Sequence, residues 1–150
     1  MLTLLLVPVA GAASPVPAAQ VTGAARDDIP PAYLALYMQA GARFSIPWQV
    51  LAGIGRVESD HGRNPNCYRP NEAGAVGPMQ FLPATFREYA WAAGAADPDI
   101  LNPEHAIPAA AAMLAKNGAP GDLYTAIYAY NHADWYVALV LDWARRYGWR

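Results

Sequence analysis

At 150 residues, 55% hydrophobic and 15% charged, the chain has apolar material for one compact core and too little charge for a disordered polyelectrolyte. A formal net charge of -2, a pI near 5.8 and the lack of any basic run interleaved with aromatics exclude nucleic acid as the expected partner. With 1 cysteine, Cys67, no intrachain disulfide framework can form.

Leu2 to Ala10 is a short apolar segment, and the small residues of AGA and PAA that follow suit cleavage, so residues 1–20 read as an export signal. No Lys or Arg precedes Arg26, so the basic n-region is missing, and an uncleaved N-terminal anchor with membrane association is the alternative. Pro8 breaks the run too early for a membrane span. Ser14, Pro15, Pro17, Gly23 and Pro30 among alanines read as a linker, which leaves 21–30 as a connection to a folded domain over 31–150.

From Pro31 the pattern is helical. PPAYLALYMQAGARF opens with prolines suited to a first turn and sets Leu34, Tyr37 and Met38 at helical spacing. SIPWQVLAGIGRVES follows, with Ser45 expected as its N-cap and Pro47 in its first turn. Asp60 to Pro78 holds Gly62, Pro65, Pro70, Gly74 and Gly77 and is expected to be irregular, with at most a small β-hairpin. PATFREYAWAAG makes a short helix, and NPEHAIPAAAAMLAKNG a longer one capped by Asn102 and stopped at Gly118. Asp122 caps LYTAIYAY, and Asp134 is expected to cap WYVALVLDWARRYG. Strand-length alternation is nowhere sustained and no internal repeat occurs, so the fold class is mainly α.

Three stretches carry chemistry. Leu51, Ile54, Gly55 and Glu58 fall at spacings of three and four, so the carboxylate extends the stripe that faces the core. Partial burial and the negative end of a helix both raise a carboxyl's pKa, which suits a general acid. The alternative is a frayed helix end with Glu58 in water or paired with Arg56 or Arg63. Gly53 and Gly55 inside that helix cost about 1 kcal/mol each relative to alanine, so something packs closely there. In GAVGPMQFLPATF, Gly74 to Phe86, Gln80 can donate and accept hydrogen bonds to sugar hydroxyls and amides, or cap its own turn. In AIYAYNHADWYV, Tyr130 and Asn131 end one helix before the next begins, either facing a groove or marking a helix stop with a buried tyrosine.

Together the three resemble the catalytic domain of the lytic transglycosylases, a lysozyme-like family that cleaves peptidoglycan. The landmarks occur in the family's order: Glu58-Ser59 after an apolar helix, the Gly-x-x-Gly-x-Met-Gln-x-x-Pro-x-Thr segment from Gly74 to Thr85, and Tyr130-Asn131. The resemblance spans roughly Pro31 to Tyr147, and the Gly-to-Thr segment is its most specific part. His132 and Ala133 stand where Ala-Gly is usual, and Pro78 where leucine is common, so YNHADWYV and GPMQFLP lean towards the membrane-bound type B-like branch of high-GC bacteria.

The resemblance implies a lysozyme-like helical domain with a substrate groove, exported to the cell envelope or beyond and acting as a monomer on peptidoglycan glycan strands. Glu58 would be the sole catalytic acid and base. It would cleave the β-1,4 bond between N-acetylmuramic acid and N-acetylglucosamine and leave a 1,6-anhydro end, with no metal or other cofactor. Ser59 would orient Glu58, Gln80, Tyr130 and Asn131 would hold substrate, and Met79 would line the groove. A hydrolytic muramidase of the same fold, or a chitinase, would want a second carboxylate, for which Asp60 is nearest in sequence and Asp97, Asp99 and Asp134 are further options. A non-catalytic peptidoglycan-binding domain would keep the groove and lose turnover. His61, His105 and His132 match no metal-ligand spacing and read as local hydrogen-bonding residues.

Overall fold

The computed structural model describes residues 21–150; the apolar Leu2 to Ala10 segment, read as an export signal or anchor, lies outside them. Seven α-helices occur in the described residues: α1 Gly23–Asp28, α2 Pro31–Phe44, α3 Trp48–Ser59, α4 Pro83–Ala92, α5 Pro103–Lys116, α6 Leu123–Tyr130 and α7 Asp134–Arg146. Among these residues no helix is long and apolar enough to cross a membrane.

α3 is the centre of the packing. Trp48, Val50, Leu51, Ala52, Gly53, Ile54, Gly55 and Ser59 are all buried, so this helix is enclosed nearly all round rather than along one stripe. It lies most extensively against α7, with α2 on another side. A Cβ on Gly53 would sit 2.6 Å from the Val140 carbonyl of α7, and one on Gly55 would collide with the Tyr37 hydroxyl of α2. Both glycines of the helix therefore answer to close approach by neighbours. α5 packs against α2 and α4 through buried Ala106, Ala109, Ala110, Ala111 and Ala112, whose small side chains let three helices converge.

Caps divide into those expected and those not. Asn102 accepts from the Glu104 N–H at 2.9 Å and Asp122 from the Thr125 N–H at 3.0 Å, each satisfying an orphan donor of a first helical turn. Ser45 does not cap α3. It closes α2 instead, in a left-handed conformation with φ +57°, and Pro47 takes the N-cap position of α3. Nor does Asp134 cap α7. It is the helix's first residue, and its carboxylate accepts from the Tyr124 hydroxyl.

The segment read as a linker is a helix over Gly23–Asp28. Thr22 caps it by accepting from the Ala25 N–H at 3.2 Å, and Val21, Ala25 and Ile29, spaced four apart, are buried in the core. Flanking proline and glycine masked this apolar stripe. The irregular stretch after α3 contains a 3₁₀ turn over Pro65–Tyr68 and a single antiparallel bridge between Val76 and Phe81, the extent of the anticipated hairpin.

Candidate active site

Glu58 sits in the last turn of α3, partly buried, one residue before the helix ends. The Tyr136 hydroxyl of α7 donates to its Oε1 at 2.5 Å, while Oε2 makes no hydrogen bond within the described residues. Burial pushes the carboxyl up to about 7, against the Tyr136 hydrogen bond, which favours the charged form. The result is a carboxyl with one oxygen anchored and the other unengaged, poised between acid and base near neutral pH.

Three further elements close around it. Ser59 is buried; its hydroxyl donates to the Pro78 carbonyl at 2.6 Å and accepts from the Gly62 N–H at 2.7 Å. It ties the end of α3 to the loop that carries Gln80, and it makes no hydrogen bond to Glu58 itself. That loop is a tight turn: the Gly77 N–H donates to the Cys67 carbonyl at 2.7 Å, the Gln80 N–H to the Gly77 carbonyl at 3.0 Å, and the Val76 N–H to the Phe81 carbonyl at 3.0 Å. Gly77 has φ +87°, and a Cβ there would collide with the Ile100 carbonyl, so only glycine serves.

Gln80 is held in a left-handed conformation, φ +48°, and its amide nitrogen donates to the carbonyls of Gly77 at 2.9 Å and Cys67 at 3.2 Å. The amide thus caps its own turn, and its side-chain oxygen makes no hydrogen bond among the described residues. Met79 is fully buried; its side chain belongs to the core, and its part in the site is the carbonyl that accepts from the Tyr130 hydroxyl at 2.7 Å. Tyr130 is thereby fixed, its ring stacked on that of Tyr136 with centroids 6.4 Å apart and planes 6° from parallel. Burial, and after it the nearby Glu58 charge, hold both phenols well above their ordinary range, so they stay protonated donors. Asn131 is exposed and its side chain makes no hydrogen bond within the described residues.

The structure therefore brings Glu58, Ser59, Met79, Gln80 and Tyr130 together through backbone and hydroxyl contacts, with Asn131 at the outer end of α6. Nothing in the sequence singles out Tyr136. Its position inside an amphipathic helix offers no signal beyond an aromatic residue five places after Asn131. Asp60, the nearest alternative carboxylate, is the left-handed C-cap of α3 and pairs with Arg56 and, at 2.5 Å, with Arg63. Asp99 accepts from the Leu101 N–H at 2.9 Å in a turn.

The Transglycosylase SLT domain model matches residues 35–143. The chain belongs to this family. No curated protein and no solved structure matches it. The mainly helical arrangement of the described residues accords with the lysozyme-like fold of SLT domains, whose members are lytic transglycosylases acting on peptidoglycan of the bacterial cell wall. The matched segment holds Glu58, Gln80, Tyr130 and Tyr136, and ends inside α7.

Proposed function

We propose that this SLT domain cleaves the β-1,4 bond between N-acetylmuramic acid and N-acetylglucosamine and closes a 1,6-anhydro ring on the muramic acid. The observation that carries the reading is Glu58: a carboxyl raised to about 7, with Oε1 held by Tyr136 and Oε2 without a hydrogen bond among the described residues. The protonated carboxyl gives its proton to the bridging oxygen as the bond from C1 to that oxygen breaks. The resulting carboxylate takes the proton of the C6 hydroxyl as that oxygen bonds to C1. Glu58 ends the cycle as it began, and no water is consumed. A group that serves in both directions works best with a pKa near the working pH.

Gln80 through its side-chain carbonyl, with Asn131, holds sugar hydroxyls and amides, while Tyr130 and Ser59 keep the loop and helix end in register. Asp60, committed to two arginines, is poorly placed to activate water, which favours the lyase outcome over a muramidase. The Pro78, His132 and Ala133 departures favour the membrane-bound type B-like branch, and the apolar Leu2 to Ala10 segment, read as an export signal, favours action in the envelope.

Purified peptidoglycan digested with the chain, with Glu58→Gln alongside, tests this. Mass spectrometry is expected to find anhydro-ended muropeptides, one water lighter than hydrolysis products and absent with the variant. Fully hydrated reducing ends would make the domain a muramidase, and bound glycan without products from either protein would make it a binding module.

A further inference from the structure

We propose that Asp28 and Tyr147, both outside the segment that matches the family, are positioning residues for Glu58 and act on it through His61. The inference rests on the reading of Glu58 as the catalytic residue.

After Ser59 the chain reverses through three consecutive residues of positive φ: Asp60 at +54°, His61 at +54° and Gly62 at +76°. That conformation is unfavourable for the first two, so surrounding contacts must hold it. They form a ladder that is buried at Tyr37, His61 and Tyr147 and half-buried at Asp28. The Tyr147 hydroxyl donates its one proton to Asp28 Oδ2 at 2.5 Å, so its oxygen accepts from His61 Nε2 at 3.1 Å. The neutral imidazole then carries its proton on Nε2, and Nδ1 accepts from the Tyr37 hydroxyl at 3.0 Å. Every group in the series is satisfied in one direction only.

The charges around the ladder support that assignment. Burial pushes His61 down to about 4, although Asp28 pulls the other way, so the ring is neutral near pH 7. Burial works against the Asp28 charge, but the Tyr147 hydrogen bond, Arg56 and Arg63 together bring its carboxyl below the usual range. Arg56 and Arg63 lie 3.6 Å and 3.1 Å from it. The rings of Tyr33 and Tyr37 pack against the imidazole, with centroids 6.4 Å and 5.6 Å away.

The reversal reaches Glu58 through the backbone. The His61 N–H donates to the Gly55 carbonyl at 3.0 Å and the Asp60 N–H to the Arg56 carbonyl at 3.1 Å, closing the turn in which Glu58 stands. The Gly62 N–H donates to the Ser59 hydroxyl that grips Pro78. Without the ladder, Asp60 and His61 relax out of the left-handed region. The last turn of α3 then loosens, and Glu58 gains water and loses its alignment.

The full chain carrying Y147F, D28N or H61Q, beside wild type and E58Q, supplies two readouts: kcat and KM on soluble glycan strands, and the Glu58 titration midpoint by carboxyl-carbon NMR, assigned with E58Q. Y147F and D28N are expected to hold KM within about twofold, lower kcat by about tenfold or more, and move the Glu58 midpoint down towards the ordinary glutamate range. H61Q can keep one donor and one acceptor in place and is expected to retain more activity than His61→Phe. Should D28N fail to fold, Y147F decides, since it removes one hydroxyl and keeps the ring against Trp143. An unchanged Glu58 midpoint in the folded variants would overturn the proposal even with a lowered Tm, because the ladder would then serve stability alone. A midpoint that moves while wild type releases no product would uphold the positioning and sink the transglycosylase reading instead.

Discussion

Glu58 combines a place on the core-facing stripe with a place at a helix end, and the two together set its chemistry. Its ordinary value of 4.5 becomes about 7 in the folded domain, with burial as the first cause. The sign of the stability effect follows. Below the unfolded value both states are protonated and the group costs nothing; as pH rises towards 7 the unfolded chain ionises first, so stability is lost across that window. The full cost is up to about 3 kcal/mol. Glu58→Gln is therefore expected to match wild type in Tm near about pH 4 and to exceed it near about pH 8, as thermal melts at the two values would show. Equal differences at both would mean that the carboxyl is solvated. The stripe spacing made this residue legible in the sequence; its partner Tyr136 was not, because a contact across 78 positions leaves no local pattern.

At the scale of the element, α3 shows what two helix glycines are for. Helix propensity alone would favour alanine at position 55 by about 1 kcal/mol. The Tyr37 hydroxyl lies where that methyl would go, and Tyr37 is fully buried. Gly55→Ala is thus expected to destabilise the domain by about 1–3 kcal/mol in chemical denaturation, and Tyr37→Phe to recover part of that loss in a double-mutant cycle. Additive effects would show that the two do not meet. The sequence announced a close approach at Gly53 and Gly55 without naming the neighbours. Caps were legible where an Asx side chain reached its own helix, as at Asn102 and Asp122, and misread at Ser45 and Asp134. There the geometry of the preceding helix and the Tyr124 hydroxyl decided the matter.

For the whole molecule, the domain is larger than its family signature. α1 precedes the matched segment and Tyr147 follows it, yet Val21, Ala25, Ile29 and Tyr147 are part of one core. A chain beginning at Pro31 loses Val21 and Ile29, each contributing about 1.5–3 kcal/mol through burial, together with the Asp28 contacts. Its Tm is expected to fall by 10 °C or more, on the order of several kcal/mol for a domain of this size. An unchanged melt would return residues 21–30 to the status of a linker.

The sequence by itself determined the helical class, most helix starts, and the place of Glu58, Gln80 and Tyr130 in order along the chain. Those are matters of periodicity and local hydrogen bonding, written in residues three and four apart. Only the tertiary structure decided that Met79 is core, that Tyr136 holds Glu58, and that Asp28 meets Tyr147. Each depends on residues far apart in the chain and on which groups are left with water, and no local pattern encodes either.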